Sequence, residues 1–315
     1  MSGTYKATGI NLKAMPMGEA DRLLTVLTRE HGLVRVVAMG SRKHNSSLAG
    51  RSGLFVVNDL LIIKGKSLDK IAQAETLESY PGLGLDLKKL TASQYLAELC
   101  LCQALSDQPQ EELFSLLNEH LKRIERSPST EVLARLTHAT YQLLILAGLA
   151  PQVHLCCVTR QPLIPDPTDS NWRAGFSIPT GGAVTLAALE KLQLGKHQPT
   201  RRVAVASSAA HTAIENPRAN SSTGSYQLPP PTLRSQLNRQ LTAPELILLQ
   251  QLAQAELPET DTIQSVTLAA DALEIDRLWL SLERALRHYA QYHFDRPIRS
   301  ASLMDACFLT PPTHP

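Results

Sequence analysis

Seven cations fall between positions 35 and 70, namely Arg35, Arg42, Lys43, Arg51, Lys64, Lys66 and Lys70, against only Asp59 and Asp69. That local excess of five positive charges is larger than the net charge of +2 carried by the whole chain of 315 residues. Guanidinium and ammonium groups in such number neutralise phosphates and displace the counterions condensed around them. The result is attachment to polyanions that ignores sequence and weakens steeply with salt. From Ile71 to Arg126 the balance reverses, with nine acids against five bases. A basic module on an acidic body points to nucleic acid at one face and a different contact elsewhere. Exposed strands also carry lysine simply to stay soluble and discourage edge pairing, and charge alone does not separate the two readings.

A second cluster, His154-Leu155-Cys156-Cys157, invites a metal or a nucleophile. Structural zinc wants two ligand pairs such as a repeated Cys-x-x-Cys. No second cluster of Cys or His follows at that spacing, and adjacent side chains tend to diverge. A nucleophilic Cys157 served by His154 lacks a third group to orient the imidazole. No glycine-rich nucleophile turn, phosphate-cradling loop or paired-carboxylate metal signature occurs elsewhere. The chain is therefore expected not to be an enzyme and to carry neither cofactor nor metal. Cys100 and Cys102 sit in an apolar helical pattern and read as structural thiols. His288 and His293 read as packing or capping residues. Five cysteines, an odd number with no paired framework, fit a reducing compartment. No apolar run reaches the roughly 18 residues of a membrane span, so a soluble, cytoplasmic protein is expected, with no membrane partner.

The cations need a scaffold, and the stretch from Gly9 to Leu77 supplies it. Ile10, Leu12 and Ala14 alternate with Asn11 and Lys13, the period of a half-buried strand. Leu23 to Leu27 and Leu33 to Met39 flank Thr28-Arg29-Glu30-His31-Gly32, a loop ending in glycine, and read as a hairpin. Gly40 to Ser47 has no apolar residue to bury and is expected to be a solvated loop. Leu54 to Ile63 and Ile71 to Leu77 are two further strands across the basic turn Lys64-Gly65-Lys66-Ser67. Five short strands in this span suit a small closed barrel of the OB type.

Helical periodicity takes over at Asp86. Leu87, Leu90, Tyr95, Leu96, Leu99, Cys100 and Ala104 share a face, with Asp86 as a capping candidate, and two more amphipathic helices run through Leu113 to Ile124 and Val132 to Leu146. Gly148 and Pro151 close the third. The segment 195–232 holds Arg201-Arg202 and is rich in Ser, Ala, Asn and Pro. It is expected to be a mobile insert. Helices then resume at Leu246 to Leu252 and Asp276 to His293. Arg277, Arg284, Arg287, Arg296 and Arg299 form a basic side that is either a solvated face or an extension of a phosphate-binding surface. The expected fold is α+β: an OB barrel (1–80), a first helical part (81–150), a small subdomain (151–194), the insert (195–232) and a second helical part (233–315).

Gly18-Glu19-Ala20-Asp21, Thr28-Arg29-Glu30-His31-Gly32, Val37-Ala38-Met39-Gly40-Ser41-Arg42, Leu48-Ala49-Gly50 and Phe55 together resemble the amino-terminal barrel of the RecO family of bacterial recombination mediators. Leu282 to Tyr289 with Arg299-Ser300-Ala301-Ser302-Leu303 is similar to that family's closing helix. The family usually has a cation where this chain has Met39. Many members also carry a four-cysteine zinc knuckle, whose ligand positions fall here on Cys156, Thr159, Thr185 and Ala188. The resemblance therefore implies a degenerate, metal-free knuckle, held by Trp172, Phe176 and Ile178. It further implies a repair and recombination mediator that binds single- and double-stranded DNA and anneals complementary strands. Such a mediator assists RecA loading with RecR and contacts the C-terminal tail of the single-stranded-DNA-binding protein (SSB), in the cytoplasm at the nucleoid. The DNA-binding candidates remain Arg35, Arg42, Lys43, Arg51, Lys64, Lys66 and Lys70. Two alternatives stay open: a generic OB-fold coater of single strands, which needs stacking aromatics, and a helical scaffold for protein interactions.

Overall fold

Alternating apolar residues build five strands, β1 (Thr4–Met17), β2 (Asp21–Thr28), β3 (Gly32–Ala38), β4 (Val56–Ile63) and β5 (Asp69–Ser79). In the computed structural model, which describes residues 3–194, 237–257 and 272–309, they close into a barrel in the order β1-β2-β3-β5-β4. All pairings are antiparallel except β3 with β5. This is the expected OB-like architecture. A register shift between Asn11 and Lys13 bends β1, so that its first half pairs with β4 and its second half with β2.

Two cores result. One fills the barrel, around Leu24, Val26, Val36, Leu60 and Ile62. The other runs from the barrel's outer side, through Ile10, Leu27 and Phe55, into the helices at Tyr95, Leu117 and Leu286. Those helices are α1 (Leu87–Gln103), α2 (Glu111–Arg126) and α3 (Val132–Leu146). Asp86 caps α1, its Oδ1 accepting the N–H groups of Lys88 and Lys89 at 2.8 and 3.4 Å. Leu87, grouped with the core face by periodicity, is instead 65% exposed. It lies in the first turn, where the helix has not yet come under its neighbours.

After α3 come β6 (Arg173–Ser177), β7 (Gly182–Val184), α4 (Leu186–Leu194), β8 (Asn238–Thr242), α5 (Ala243–Gln251), α6 (Ala272–Phe294) and α7 (Ala301–Leu309). The sheet order β7-β6-β8 brings a strand from beyond the insert onto the small subdomain. The pattern Asn238-Arg239-Gln240 gave no hint of it, because β8 forms by pairing with β6 rather than from its own alternation. The segment 195–232, with Arg201 and Arg202, lies outside the described residues. Among the described residues no helix is long and apolar enough to cross a membrane.

The basic side read on the last long helix needs correction at Arg287. It is 5% exposed, donates to both carboxylate oxygens of Asp305 on α7 at 3.1 and 2.9 Å, and lies 3.2 Å from Glu283. Arg284 also leans on Asp305, at 3.7 Å. Arg287 docks α7 rather than facing solvent, whereas Arg284 remains partly exposed beside it.

The barrel is fastened to the helices at the β2–β3 turn. Leu33 N–H donates to Leu105 O at 2.9 Å, Asp107 N–H to His31 O at 3.0 Å and Gln110 N–H to Arg29 O at 2.8 Å. Gly32 permits this with φ of 64°. A Cβ there would lie 2.0 Å from the Leu105 carbonyl oxygen and 2.6 Å from that of Gln108. Gly32→Ala is therefore expected to cost at least about 2 kcal/mol, from left-handed strain plus a backbone clash. Urea unfolding checks it, and an unchanged midpoint would contradict this account of the junction.

Candidate nucleic-acid interface

Four of the seven candidate cations share one margin of the barrel. Arg35 is exposed on β3, Lys64 and Lys66 stand at the β4–β5 turn, and Lys70 lies near the start of β5, opposite Val37 on β3 and Ile63 on β4. A groove of about 500 Å³ has Arg35 and Lys64 on its walls, with Tyr5, His31, Asp69 and Asp107. Asp69 is engaged twice, accepting the Tyr5 hydroxyl at 2.6 Å and the Gly65 N–H at 3.0 Å, which fixes the turn. Burial and the bond to Asp69 push the Tyr5 hydroxyl far above its ordinary range, so it stays a donor.

Arg42, Lys43 and Arg51 lie on the connection between β3 and β4, expected from sequence to be a solvated loop. It is instead pinned, although Arg42 and Lys43 themselves remain exposed. Gly40 N–H donates to Asp21 at 2.7 Å, and Arg42 donates through its backbone to Ala20 O and through its guanidinium to Gly18 O. Arg22 reaches Ala49 O and the Ser52 hydroxyl. From the barrel, buried Asn11 donates to the carbonyls of Arg51 and Gly53, each at 2.8 Å, and Asn58 donates to Arg51 O at 3.0 Å. Ser41 and Ser52 are consequently buried. The half-buried Arg51 lines a second groove, of about 610 Å³, together with Lys6, Asp59 and Glu75. The seven residues thus fall into two sets, Arg35 and Lys64 of the first lining one groove and Arg51 of the second lining another.

Their electrostatic setting is common to both sets. Among the described residues no Lys or Arg of the barrel forms an ion pair, whereas Lys122, Arg123 and Arg135 of the helices do. Four of the barrel's acids are engaged otherwise: Asp21 and Glu30 accept backbone N–H groups, Asp69 holds Tyr5, and Glu78 pairs with Lys122, whereas Asp59 and Glu75 line the groove of Lys6 and Arg51. The positive potential is therefore least offset at the β3–β5 margin, where Asp69 is already engaged, and is partly offset beside Arg51 by Asp59 and Glu75. Aromatic stacking has little to offer beside it. Phe55 and Tyr80 are buried, and Tyr5 packs edge-on against His31.

Sequence reading missed Lys6, which the fold brings beside Arg51, and Lys13, which shares a groove with Arg296 and Arg299. Only the closing of the chain onto β1 joins positions so distant, so no local pattern announced them.

The knuckle positions do converge. Cys156 Sγ accepts the backbone N–H of Thr159 at 3.4 Å and of Thr185 at 3.2 Å, and Thr185 Oγ1 in turn accepts the Ala188 N–H. Phe176 and Ile178 are buried beneath, with Trp172 packed at the edge. The donor set does not fit zinc, since one thiol, two threonines and an alanine offer a single good ligand. Among the described residues no group of three His, Cys, Asp or Glu could hold a metal. Burial pushes the Cys156 thiol up, but the Thr159 side chain and backbone N–H groups of Thr159, Thr185 and Val158 outweigh it and bring it down to about 7.

Comparison with known proteins agrees with this architecture. Residues 1–80 match the family model described as "Recombination protein O N terminal" and residues 84–204 the one described as "Recombination protein O C terminal". The chain is 52% identical over 311 residues to the DNA repair protein RecO of a Nostoc species, covering 98% of this chain and 97% of that protein. It is 54% identical over 308 residues to that of a Cyanothece species, with the same shares, and 50% identical over 312 residues to that of Nostoc punctiforme, again with the same shares.

Two outcomes are expected. Asn11→Leu strands the Gly53 carbonyl and leaves Arg51 O with Asn58 alone, at a cost of about 1–3 kcal/mol. It should speed tryptic cleavage after Arg42, Lys43 and Arg51, and unaltered cleavage would show that the amide does not hold the connection. For Cys156, the folded value near 7 lies below the ordinary 9.0. Its stabilisation is therefore complete above pH 9 and fades as pH falls through 7. The stability lost in Cys156→Ala should be larger at about pH 9 than at about pH 6 by urea titration, and equal losses would contradict the hydrogen-bonded thiolate.

Proposed function

This chain belongs to the RecO family of DNA repair proteins, and from that premise we propose that it is a non-catalytic recombination mediator that grips DNA by phosphate neutralisation on its N-terminal barrel. It takes single and double strands alike, because charge reads neither bases nor pairing. The residues that do so are Arg35, Lys64, Lys66 and Lys70 at the β3–β5 margin and Arg42, Lys43 and Arg51 on the pinned connection. The observation that carries the reading is the absence of ion pairs on the barrel's cations among the described residues.

Annealing follows from the same charge. Two strands held on one positive surface repel each other less, which lowers the electrostatic part of the barrier to their pairing. In this role the chain acts in the cytoplasm at the nucleoid. It engages the C-terminal tail of SSB on coated DNA and works with RecR to assist the loading of RecA. A generic single-strand coater would need exposed rings to stack bases, and burial of Phe55 and Tyr80 weighs against it.

Replacing Arg42, Lys43 and Arg51 together by alanine should lower affinity for single-stranded DNA and flatten the slope of log affinity against log salt by about two units. Fluorescence anisotropy at several salt concentrations measures both. A triple variant that binds with the parent slope would remove the connection from the interface.

A further inference from the structure

Between the barrel and the helices runs a groove of about 560 Å³ that draws its cations from both ends of the chain, Lys13 on β1 and Arg296 and Arg299 on the α6–α7 connection. All three are exposed, and none forms an ion pair among the described residues. One carboxylate lines the groove with them, that of Glu98, and it is already engaged. Its Oε2 accepts the backbone N–H groups of Arg299 at 2.5 Å and Ser300 at 3.3 Å, which fastens the α6–α7 connection over α1. The charge of Arg296 is felt at the Cys102 thiol in the same groove, where it opposes the upward push of burial. Leu12, Leu54 and Leu101 give the floor an apolar strip.

Resting on the DNA-binding reading above, we propose that this groove is a second single-strand subsite, taking one or two nucleotides with their phosphates on Lys13, Arg296 and Arg299 and a sugar or base face on the apolar strip. Three arguments carry it. Two guanidinium groups and an ammonium around one carboxylate leave the groove net positive, and guanidinium forks suit phosphate oxygens. The groove borders the element that carries the candidate cations, because Leu54 belongs to the same β3–β4 connection as Arg42, Lys43 and Arg51. Its walls come from the barrel and from the helices, so a strand leaving the connection passes onto the helical body. DNA bound there would bridge the two parts of the molecule.

The test compares the parent, a groove variant (Lys13→Ala, Arg296→Ala, Arg299→Ala) and the connection variant (Arg42→Ala, Lys43→Ala, Arg51→Ala). Each is titrated with oligothymidylates of about 10 and about 30 nucleotides, the first within and the second well beyond the roughly 4–16 nucleotides that a single OB fold covers. The expected result is that the groove variant binds the longer strand at least roughly tenfold more weakly, with a salt slope flatter by about one unit, while its affinity for the shorter strand stays at the parent level. A charge-keeping variant (Lys13→Arg, Arg296→Lys, Arg299→Lys) should keep the parent's salt slope and lose less affinity than the alanine variant. Parental binding of the longer strand by the groove variant, beside a weakened connection variant, overturns the subsite and leaves the barrel reading standing. A parent chain without salt-sensitive binding overturns both. An acidic peptide with an apolar C-terminal residue, bound by the parent and lost only in the groove variant while DNA binding is unchanged, reassigns the groove to a protein tail and overturns the subsite.

Discussion

A positive charge on a protein surface attracts a polyanion only to the extent that no carboxylate has reached it first. In this barrel several carboxylates are held by hydrogen-bond donors, while Asp59 and Glu75 stay in the groove of Lys6 and Arg51. Asp21 accepts from Gly40, Glu30 from Thr8, and Asp69 from both Tyr5 and Gly65. Each bond satisfies a turn or strand end that the fold needs, and each turns an acid away from the nearby lysines and arginines. The helical body does the opposite, pairing Arg123 with Glu119 and Arg135 with Glu131. Exposed pairs of that kind contribute little to stability, but they cancel local charge. The contrast between the two halves thus arises from what the acids bind, as well as from how many there are.

The second constraint is positional. Cations on a wandering loop are a weak grip, since ordering them on binding costs conformational entropy. The β3–β4 connection avoids much of that cost, because Asn11 and Asn58 reach from the strands to its carbonyls while Arg22 and Arg42 tie its backbone to the opposite turn. The fold therefore presents Arg42, Lys43 and Arg51 from a preset backbone. The junction at Gly32 and the shared core extend that rigidity to the helices.

Much of this was legible in the sequence. Period-two alternation in β1, the glycine-ended hairpin and the basic turn after β4 were enough for five strands and a barrel, because one face of each strand must be buried. The Asp86 cap and the three helices could be read for the same reason. What escaped was everything decided by a distant partner. Asn11 read as the polar side of a strand, yet it anchors a loop about 40 residues away. Arg287 read as surface charge, but α7 covers it. β8 carried no alternation of its own, and Lys13 met Arg296 and Arg299 only when the chain closed on itself. The knuckle positions followed from the family resemblance, whereas the hydrogen bonds that now surround Cys156 could not be read from sequence.

All of it depends on the barrel holding phosphates through charge alone. The most direct measurement is the affinity of the intact chain for oligothymidylate and for a mixed-sequence strand of equal length, followed from about 50 to 200 mM salt. The account predicts equal affinities for the two strands and a slope of log affinity against log salt near −4, the value for about six single-strand phosphates. A shallow slope, or a marked preference for one sequence, would contradict it.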